Sequence, residues 1–207
     1  MSEAEVAMPR RTGVAVAAVV VAAAVVAVVA LAGAGGSGLV PEAGTGQVEQ
    51  VSSSVAVVPE GQRQPLPAFT GRTLDDQRID LASLRGNPLV LNFWASWCGP
   101  CRAEQEGLEL ASKALAGQDV RMVGVNIRDD EGAAASYLEE FQVGYPSLFD
   151  RPAVLSARLG ALGPQAPPYT LVVDAQGRVA ARVFGILPGG QPERQAALLT
   201  DLVERVT

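Results

Sequence analysis

Two cysteines, Cys98 and Cys101, stand between an apolar run and a helical pattern, and only a glycine and a proline separate them. The run, residues 89–93, is apolar except for Asn92 and is typical of a strand buried on both faces. Residues 100–116 have the pattern of a helix and end before Gly117, a common helix stop. A C-x-x-C pair at such a strand-to-helix junction is typical of a redox site and requires an α/β unit around it.

Composition removes most other kinds of catalytic and metal site. The 207-residue chain contains no histidine, and its two cysteines are the only ones. Histidine general bases, Ser-His-Asp and Cys-His arrangements and His-ligated metal sites are therefore excluded. A site of four thiolates within one chain is excluded as well. We expect no metal and no cofactor, and the net charge of −6 argues against nucleic acid as a partner.

The position of Cys98 at the start of the predicted helix favours its thiolate form, because free N–H groups and the positive end of the helix dipole stabilise negative charge there. Cys98 is therefore predicted to be the nucleophile. Cys101, one turn later, is predicted to be the thiol that resolves a mixed disulfide. A structural disulfide over so short a loop would add little stability. A two-thiolate copper(I) site is also disfavoured, because no third soft ligand lies near the pair.

Residues 14–32 consist of alanine, valine and leucine alone. As a helix they would extend about 28 Å, close to the thickness of the hydrocarbon core of a bilayer. Two arginines closely precede the run, and the next basic residue is Arg63. The positive-inside rule therefore predicts a cytoplasmic tail over 1–12 and a single transmembrane anchor in the cell membrane over 13–34. The alternative is a signal peptide that is cleaved to leave a secreted domain. In both cases the remaining chain lies outside the cytoplasm, where disulfides persist.

Residues 35–66 are rich in Gly, Ser, Pro and Gln and are predicted to be a flexible linker. A folded domain is expected over 67–207. Its strands alternate with helices and a hairpin closes the sheet, which predicts an α/β fold with helices flanking a central mixed sheet. The predicted elements are a hairpin over 69–79, a helical turn over 81–84, strands over 89–93, 120–127, 147–149, 169–173 and 179–184, and helices over 100–116, 132–141, 153–159 and 192–206.

Residues 91–104, with the sequence LNFWASWCGPCRAE, resemble the active-site segment of the thioredoxin-like TlpA/ResA family. This family consists of membrane-tethered, extracytoplasmic thiol–disulfide oxidoreductases. The resemblance extends over residues 67–205: residues 123–141 are similar to the family's central insertion and residues 168–174 to its cis-proline strand. It implies a thioredoxin-like fold with an N-terminal hairpin and a central insertion, preceded by the transmembrane helix.

The resemblance also implies roles for further residues. Pro168 matches the proline that is cis and faces the cysteines in the family, and its missing N–H leaves an edge where a substrate segment can pair as an extra strand. Trp97 and Tyr169 are expected to contribute to substrate binding beside it. Glu104 matches an acidic residue that lies near the disulfide in the family. It follows Cys101 by three residues and therefore lies on the same face of the helix. Glu104 is expected to exchange a proton with Cys101, and an ordinary exposed glutamate is the alternative.

The implied function is that of a reductase of protein disulfides, with apocytochrome c as one substrate and an integral-membrane protein as the electron donor. Asn92 stands where thioredoxin has a buried aspartate; because it cannot titrate, Glu104 is the remaining group for proton exchange. Two alternatives stay open. One is an oxidase that donates its disulfide to secreted proteins, and the other, of a different class, is a module that binds a client protein or copper without catalysis.

Overall fold

The structure, a computed structural model, describes residues 49–206. Nine strands and four α-helices lie within that range. The strands are β1 (Glu49–Ser52), β2 (Val55–Val57), β3 (Thr70–Arg72), β4 (Arg78–Asp80), β5 (Leu89–Trp94), β6 (Arg121–Ile127), β7 (Ser147–Asp150), β8 (Tyr169–Val173) and β9 (Val179–Phe184). The helices are α1 (Gly99–Leu115), α2 (Glu131–Glu140), α3 (Val154–Leu159) and α4 (Pro192–Glu204).

Seven of the strands form one mixed sheet in the order β1-β2-β9-β8-β5-β6-β7. β5 lies inside it, parallel to β6 and antiparallel to β8, and all six of its side chains are buried. Strands β3 and β4 form a separate antiparallel hairpin. The α/β architecture with a central mixed sheet, the N-terminal hairpin and the doubly buried strand before the cysteines are therefore confirmed.

The two faces of the sheet carry separate parts of the core because side chains alternate along each strand. On one face, Val90 and Val172 pack with Leu108 of α1 and Leu199 of α4. On the other face, strand residues pack against α3; this group includes Leu91, Phe93, Val125, Leu155 and Leu171. Helix α1, which begins beside the two cysteines, is thus supported both by the sheet and by α4.

The sheet begins before the boundary predicted at residue 67, and this corrects the linker assigned to residues 35–66. Val55 of β2 pairs with Val183 of β9, and the Val58 N–H donates to the Ala180 carbonyl at 2.8 Å. Val55 and Val58 are buried. β1 and β2 are only four and three residues long. β9, the strand with which β2 pairs, lies more than a hundred residues later, so no local period shows the pairing.

The predicted cytoplasmic tail over 1–12 and the predicted anchor over 13–34 lie outside the described residues. Between residues 49 and 206, no helix has the length and apolar character needed to cross a bilayer.

Candidate active site

The two cysteines meet where β5 leads into α1. Cys98 is the N-cap residue of α1, Pro100 occupies the first turn, and the Cys101 N–H points at the Cys98 sulfur with an N···S distance of 3.1 Å. The two sulfurs form a disulfide, and both cysteines are almost fully buried. The predicted placement of the pair at the start of a helix is confirmed.

The start of α1 favours negative charge on the Cys98 sulfur once the disulfide is reduced. The first turn of α1 contains no acidic side chain that would oppose the positive end of the helix dipole. The backbone N–H of Cys101 already faces the sulfur, and hydrogen bonds to the charged form of a group favour that form. The geometry therefore supports Cys98 as the nucleophile, as predicted.

Glu104 lies one turn after Cys101 and is completely buried, so it is not the exposed glutamate of the alternative interpretation. Its Oε2 atom accepts a hydrogen bond from the Leu187 N–H at 2.7 Å, and its Oε1 atom accepts one from Asn92 Nδ2 at 3.1 Å. Burial raises the pKa of Glu104 from 4.5 to about 7, although these two hydrogen bonds act in the opposite direction. A carboxyl with a pKa near neutrality can both take up and release a proton at the pH where it works.

Asn92 connects Glu104 to the neighbouring strand. Its Nδ2 atom donates to Glu104 and also to Thr170 Oγ1, at 3.1 Å in each case, whereas its buried Oδ1 atom has no protein partner. A rotation of the amide by half a turn would present Oδ1 to Glu104 as an acceptor for a protonated carboxyl. The Asn92 amide therefore suits both protonation states of Glu104.

The side of the site next to Cys98 is formed by Trp97, which is 59% exposed. Its indole Nε1 donates to the Arg128 carbonyl at 3.0 Å. The preceding residue, Ser96, donates through both its N–H and its hydroxyl to the carboxylate of Asp129. Burial alone would raise the pKa of Asp129, but hydrogen bonds from Ser96, Asn126 and Asp130 bring it below the ordinary value. The segment before Cys98 is thus held against the loop that follows β6.

Beneath the disulfide, aromatic side chains form the floor of the site. The ring of Trp94 packs on that of Tyr137 with centroids 4.4 Å apart, and Trp94 Nε1 donates to Ser147 Oγ at 2.7 Å. The Tyr137 hydroxyl donates to the Cys101 carbonyl at 3.1 Å, and burial raises the pKa of Tyr137. Tyr137 therefore acts here as a neutral hydrogen-bond donor that fixes the first turn of α1.

Pro168 directly precedes β8, and its peptide bond with Pro167 is cis, as the sequence predicted. Phe93 pairs with Tyr169, so Pro168 lies at the end of the sheet from which β5 leads to Cys98. The side chain of Tyr169 is buried, packs against Phe93 and donates its hydroxyl to the Leu162 carbonyl at 2.8 Å. The Tyr169 side chain thus belongs to the core, whereas that of Trp97 is exposed to solvent.

A family model described as AhpC/TSA matches residues 63–182, more than half of the chain. The chain belongs to the AhpC/TSA family. It is similar to the thiol:disulfide interchange protein DsbE of Yersinia pestis, with 39% identity over 130 residues that cover 60% of this chain and 64% of that protein. It is also similar to the thiol-disulfide oxidoreductase ResA of Bacillus subtilis, with 28% identity over 58% of this chain and 66% of ResA. The matched region thus spans just under two thirds of the DsbE relative.

Among solved structures, a DsbF homologue from Corynebacterium diphtheriae is similar, with a TM-score of 0.64 and 29% identity over 76% of this chain and 96% of that one. Together with the family match, this confirms the thioredoxin-like fold and the resemblance to the TlpA/ResA group that residues 91–104 indicated.

Among the groups of this AhpC/TSA domain that contact the site, three bind directly to Trp97, Cys101 or Glu104 and have no role in the sequence analysis. They are the Arg128 carbonyl, the Tyr137 hydroxyl and the Leu187 N–H. Two of them act through backbone atoms, which no residue type reveals. Tyr137 lies on the apolar face of a predicted helix, so its periodicity indicated only a core position. Its hydroxyl was the available signal, because a buried Tyr O–H usually has a hydrogen-bond partner.

Proposed function

We propose that this chain is a thiol–disulfide oxidoreductase that reduces disulfides of proteins outside the cytoplasm. The observation that carries the proposal is Cys98 at the N-cap of α1 with Cys101 one turn later. The names of the DsbE and ResA relatives support it. A pair in this position has a stabilised thiolate for attack and a second thiol within reach for resolution.

In the reduced enzyme the Cys98 thiolate attacks one sulfur of a substrate disulfide. The substrate S–S bond breaks, a disulfide forms between Cys98 and the substrate, and the other substrate sulfur leaves as a thiolate that takes up a proton. Cys101 then loses its proton, and its thiolate attacks the Cys98 sulfur and releases the second substrate thiolate. Two electrons pass to the substrate, and the enzyme ends with the Cys98–Cys101 disulfide that the structure contains.

Glu104 is proposed to accept the proton that Cys101 loses. It follows Cys101 by one turn on α1, it is buried, and its pKa is about 7. When the enzyme is reduced again, protonated Glu104 returns a proton to Cys101 as the disulfide opens. Asn92 assists because its amide can donate to the ionised carboxylate or, after rotation, accept from the protonated one.

Substrate binding is proposed at Trp97 and Pro168. Trp97 is exposed beside Cys98, and Pro168 has no N–H to offer at the start of β8, so an extended segment can align there. Of the predicted binding residues, Tyr169 supports this edge from the core through its packing on Phe93.

Reduction of insulin tests the activity. We expect the full chain with dithiothreitol to precipitate insulin faster than dithiothreitol alone, and Cys98→Ser to abolish the acceleration. Cys101→Ser should accumulate a covalent complex with the substrate through Cys98. Unchanged activity of Cys98→Ser would contradict the proposal and favour a binding module.

The direction of electron flow is proposed to be reductive. The Gly99-Pro100 dipeptide is that of thioredoxin, which has a reduction potential of about −270 mV. A strong periplasmic oxidant has a reduction potential of about −120 mV, and for a two-electron couple this difference corresponds to roughly 7 kcal/mol. Equilibration with glutathione or dithiothreitol buffers should give a reduction potential near that of thioredoxin. A reduction potential near that of the strong oxidant, with the cysteines oxidised in cells, would favour an oxidase of secreted proteins.

We also propose that residues 13–34 anchor the domain in the cell membrane beside an integral-membrane dithiol that returns the two electrons. A tether raises the effective concentration of the two partners, and an oxidising compartment makes a supplied electron source necessary. Protease added to intact spheroplasts should remove the domain, and full protection would contradict this topology. Reduction of the disulfide in an apocytochrome c peptide would test that substrate class directly.

A further inference from the structure

Arg128 lies between the two loops that border the candidate active site. Its carbonyl oxygen accepts the hydrogen bond from Trp97 Nε1 at 3.0 Å. Its guanidinium Nη1 donates to the Gln165 carbonyl at 3.3 Å. Trp97 directly precedes Cys98, and Gln165 stands three residues before Pro168. One residue thus contacts both the segment that leads to the nucleophile and the segment that leads to the proposed substrate edge.

The backbone of Arg128 directs this connection. Arg128 follows the last residue of β6 and has a φ of 52°. This value lies in the left-handed region of backbone conformation, which residues other than glycine rarely adopt. The Arg128 N–H donates to the Arg151 carbonyl at 3.1 Å, and the adjacent Asp129 binds Ser96. The position is therefore held on both sides, and the exposed side chain extends to the loop before Pro168.

The loop that receives the guanidinium is buried at Gly163 and Pro164, but the two residues after them are not. Its residues Ala161, Gln165 and Ala166 are exposed, and the Leu162 carbonyl is held by the Tyr169 hydroxyl. Gly163 fits closely against Ser156 and Leu159, which leaves Gln165 and Ala166 as the exposed residues between this packed part and Pro167. The hydrogen bond from Arg128 therefore restrains the part of this loop that leads directly to Pro167 and Pro168.

We propose that Arg128 is a positioning residue that sets the spacing between Trp97 and the Pro168 edge, and thereby the affinity for an extended protein segment. This rests on the proposed function. A protein substrate must contact both borders while its disulfide reaches Cys98, whereas a small disulfide needs only the sulfur. Arg128 would therefore help the enzyme to prefer protein disulfides over small ones.

The test compares Arg128→Met and Arg128→Lys in the full chain, with reduction of insulin and of glutathione disulfide as the two reactions. For Arg128→Met we expect the KM for insulin to rise about threefold to tenfold, the range for loss of one hydrogen bond of ordinary net strength, because this bond is exposed to solvent. The kcat for insulin and the rate with glutathione disulfide should stay within about twofold. Arg128→Lys, which keeps a charged donor, should recover most of the loss.

Two further variants make the result specific. Arg121→Met removes an exposed arginine from the opposite end of β6 and should leave both reactions unchanged. Arg128→Gly suits the left-handed backbone and removes the guanidinium without strain, so it should reproduce the effect of Arg128→Met even if that variant folds poorly. An unchanged KM for insulin, or an equal loss with both disulfides, would overturn the role of Arg128. A wild-type protein that reduces neither disulfide would instead overturn the proposed function and this inference with it.

Discussion

At the scale of single residues, the protonation of Glu104 links the chemistry of the site to the stability of the fold. The carboxyl is buried between the Leu187 N–H and the Asn92 amide. Its position on the helix face of Cys101 could be predicted from the spacing of three residues. Its burial could not, because the group that covers it comes from the loop after β9, more than eighty residues later.

Replacement of Glu104 by glutamine should change how stability depends on pH. The pKa of Glu104 is about 7 in the folded protein, against an ordinary value of 4.5, so the ionised form is disfavoured by folding. The contribution of Glu104 to stability is fully present below pH 4.5, and about 3 kcal/mol of it is lost as the pH rises through 7. Glu104→Gln carries no charge and should lack this loss. Urea unfolding of both proteins between pH 4.5 and 8 measures the difference.

The matched control is Glu106→Gln, because Glu106 is exposed on the same helix. Its unfolding free energy should follow the wild type at every pH. If Glu104→Gln also ran parallel to the wild type, the raised pKa would be wrong.

The contribution of Asp129 to stability depends on pH in the opposite direction from that of Glu104. Its carboxylate accepts hydrogen bonds from the N–H and hydroxyl of Ser96 and from Asn126 Nδ2, and its pKa lies below the usual 3.8. Its contribution is present above that pH and is lost as the pH falls through the lower folded pKa. Asp129→Asn should therefore reduce stability at pH 7 by about 1.5–3 kcal/mol, the usual worth of hydrogen bonds to a charged group.

Thermal or urea unfolding at pH 7 and pH 3 checks this expectation for Asp129→Asn. The difference from the wild type should narrow at pH 3. Asp119→Asn, on the surface in a left-handed conformation that asparagine tolerates, should leave stability unchanged. An equal effect of the two substitutions would contradict the special role of Asp129.

At the scale of elements, the contact between α1 and α4 depends on a glycine in the middle of α1. A side chain added at Gly107 would lie 2.7 Å from the Cβ atom of Gln195 and 3.2 Å from the Pro192 carbonyl. Periodicity predicted both helices, but it could not show that they approach so closely. In the sequence, Gly107 appears only as a residue that weakens a helix.

Gly107→Ala should therefore destabilise the protein, although alanine is the better helix former by about 1 kcal/mol. Forcing a methyl group into this contact is expected to outweigh that gain and to reduce the free energy of unfolding by about 1–3 kcal/mol. Urea unfolding measures it. Gly117→Ala is the control, because a Cβ atom there meets nothing within 4 Å. A more stable Gly107→Ala variant would show that α4 can shift without loss.

At the scale of the whole molecule, the elements after residue 67 could be predicted because each has its own local signal. Alternation, helical period, caps and turn residues such as those at Gly177 identify strands and helices one at a time. β1 and β2 have no such signal: they are short, and they lie among glycine, serine and proline residues. Their place in the sheet follows only from the pairing of β2 with β9 and of β1 with β2.

The segment after β2 is fixed to the domain by charges as well as by strand pairing. Asp174 is almost fully buried and binds Arg63 at 3.1 Å and Arg178 at 2.9 Å. Hydrogen bonds from these two arginines and from the Arg178 N–H lower the pKa of Asp174 although burial opposes this. Arg63 also donates to the Val206 carbonyl, so residues before 67 join the end of the chain to the β8–β9 turn.

A chain shortened to residues 67–207 should therefore be far less stable than one shortened to 47–207. The shorter version loses the buried side chains of Val55, Ala56 and Val58, at a cost of about 4 kcal/mol from apolar burial alone. It also loses the ion pair of Arg63 and leaves β9 as an unpaired, apolar edge that favours aggregation.

A domain of this size has a free energy of unfolding of only about 5–15 kcal/mol in total. The 67–207 chain should therefore unfold at a much lower urea concentration and associate on gel filtration. The 47–207 chain should elute from gel filtration without such association, and it should keep cooperative unfolding and the insulin reductase activity of the full chain. Equal urea midpoints for the two chains would mean that β1 and β2 add nothing to the fold, and that the domain does begin at residue 67.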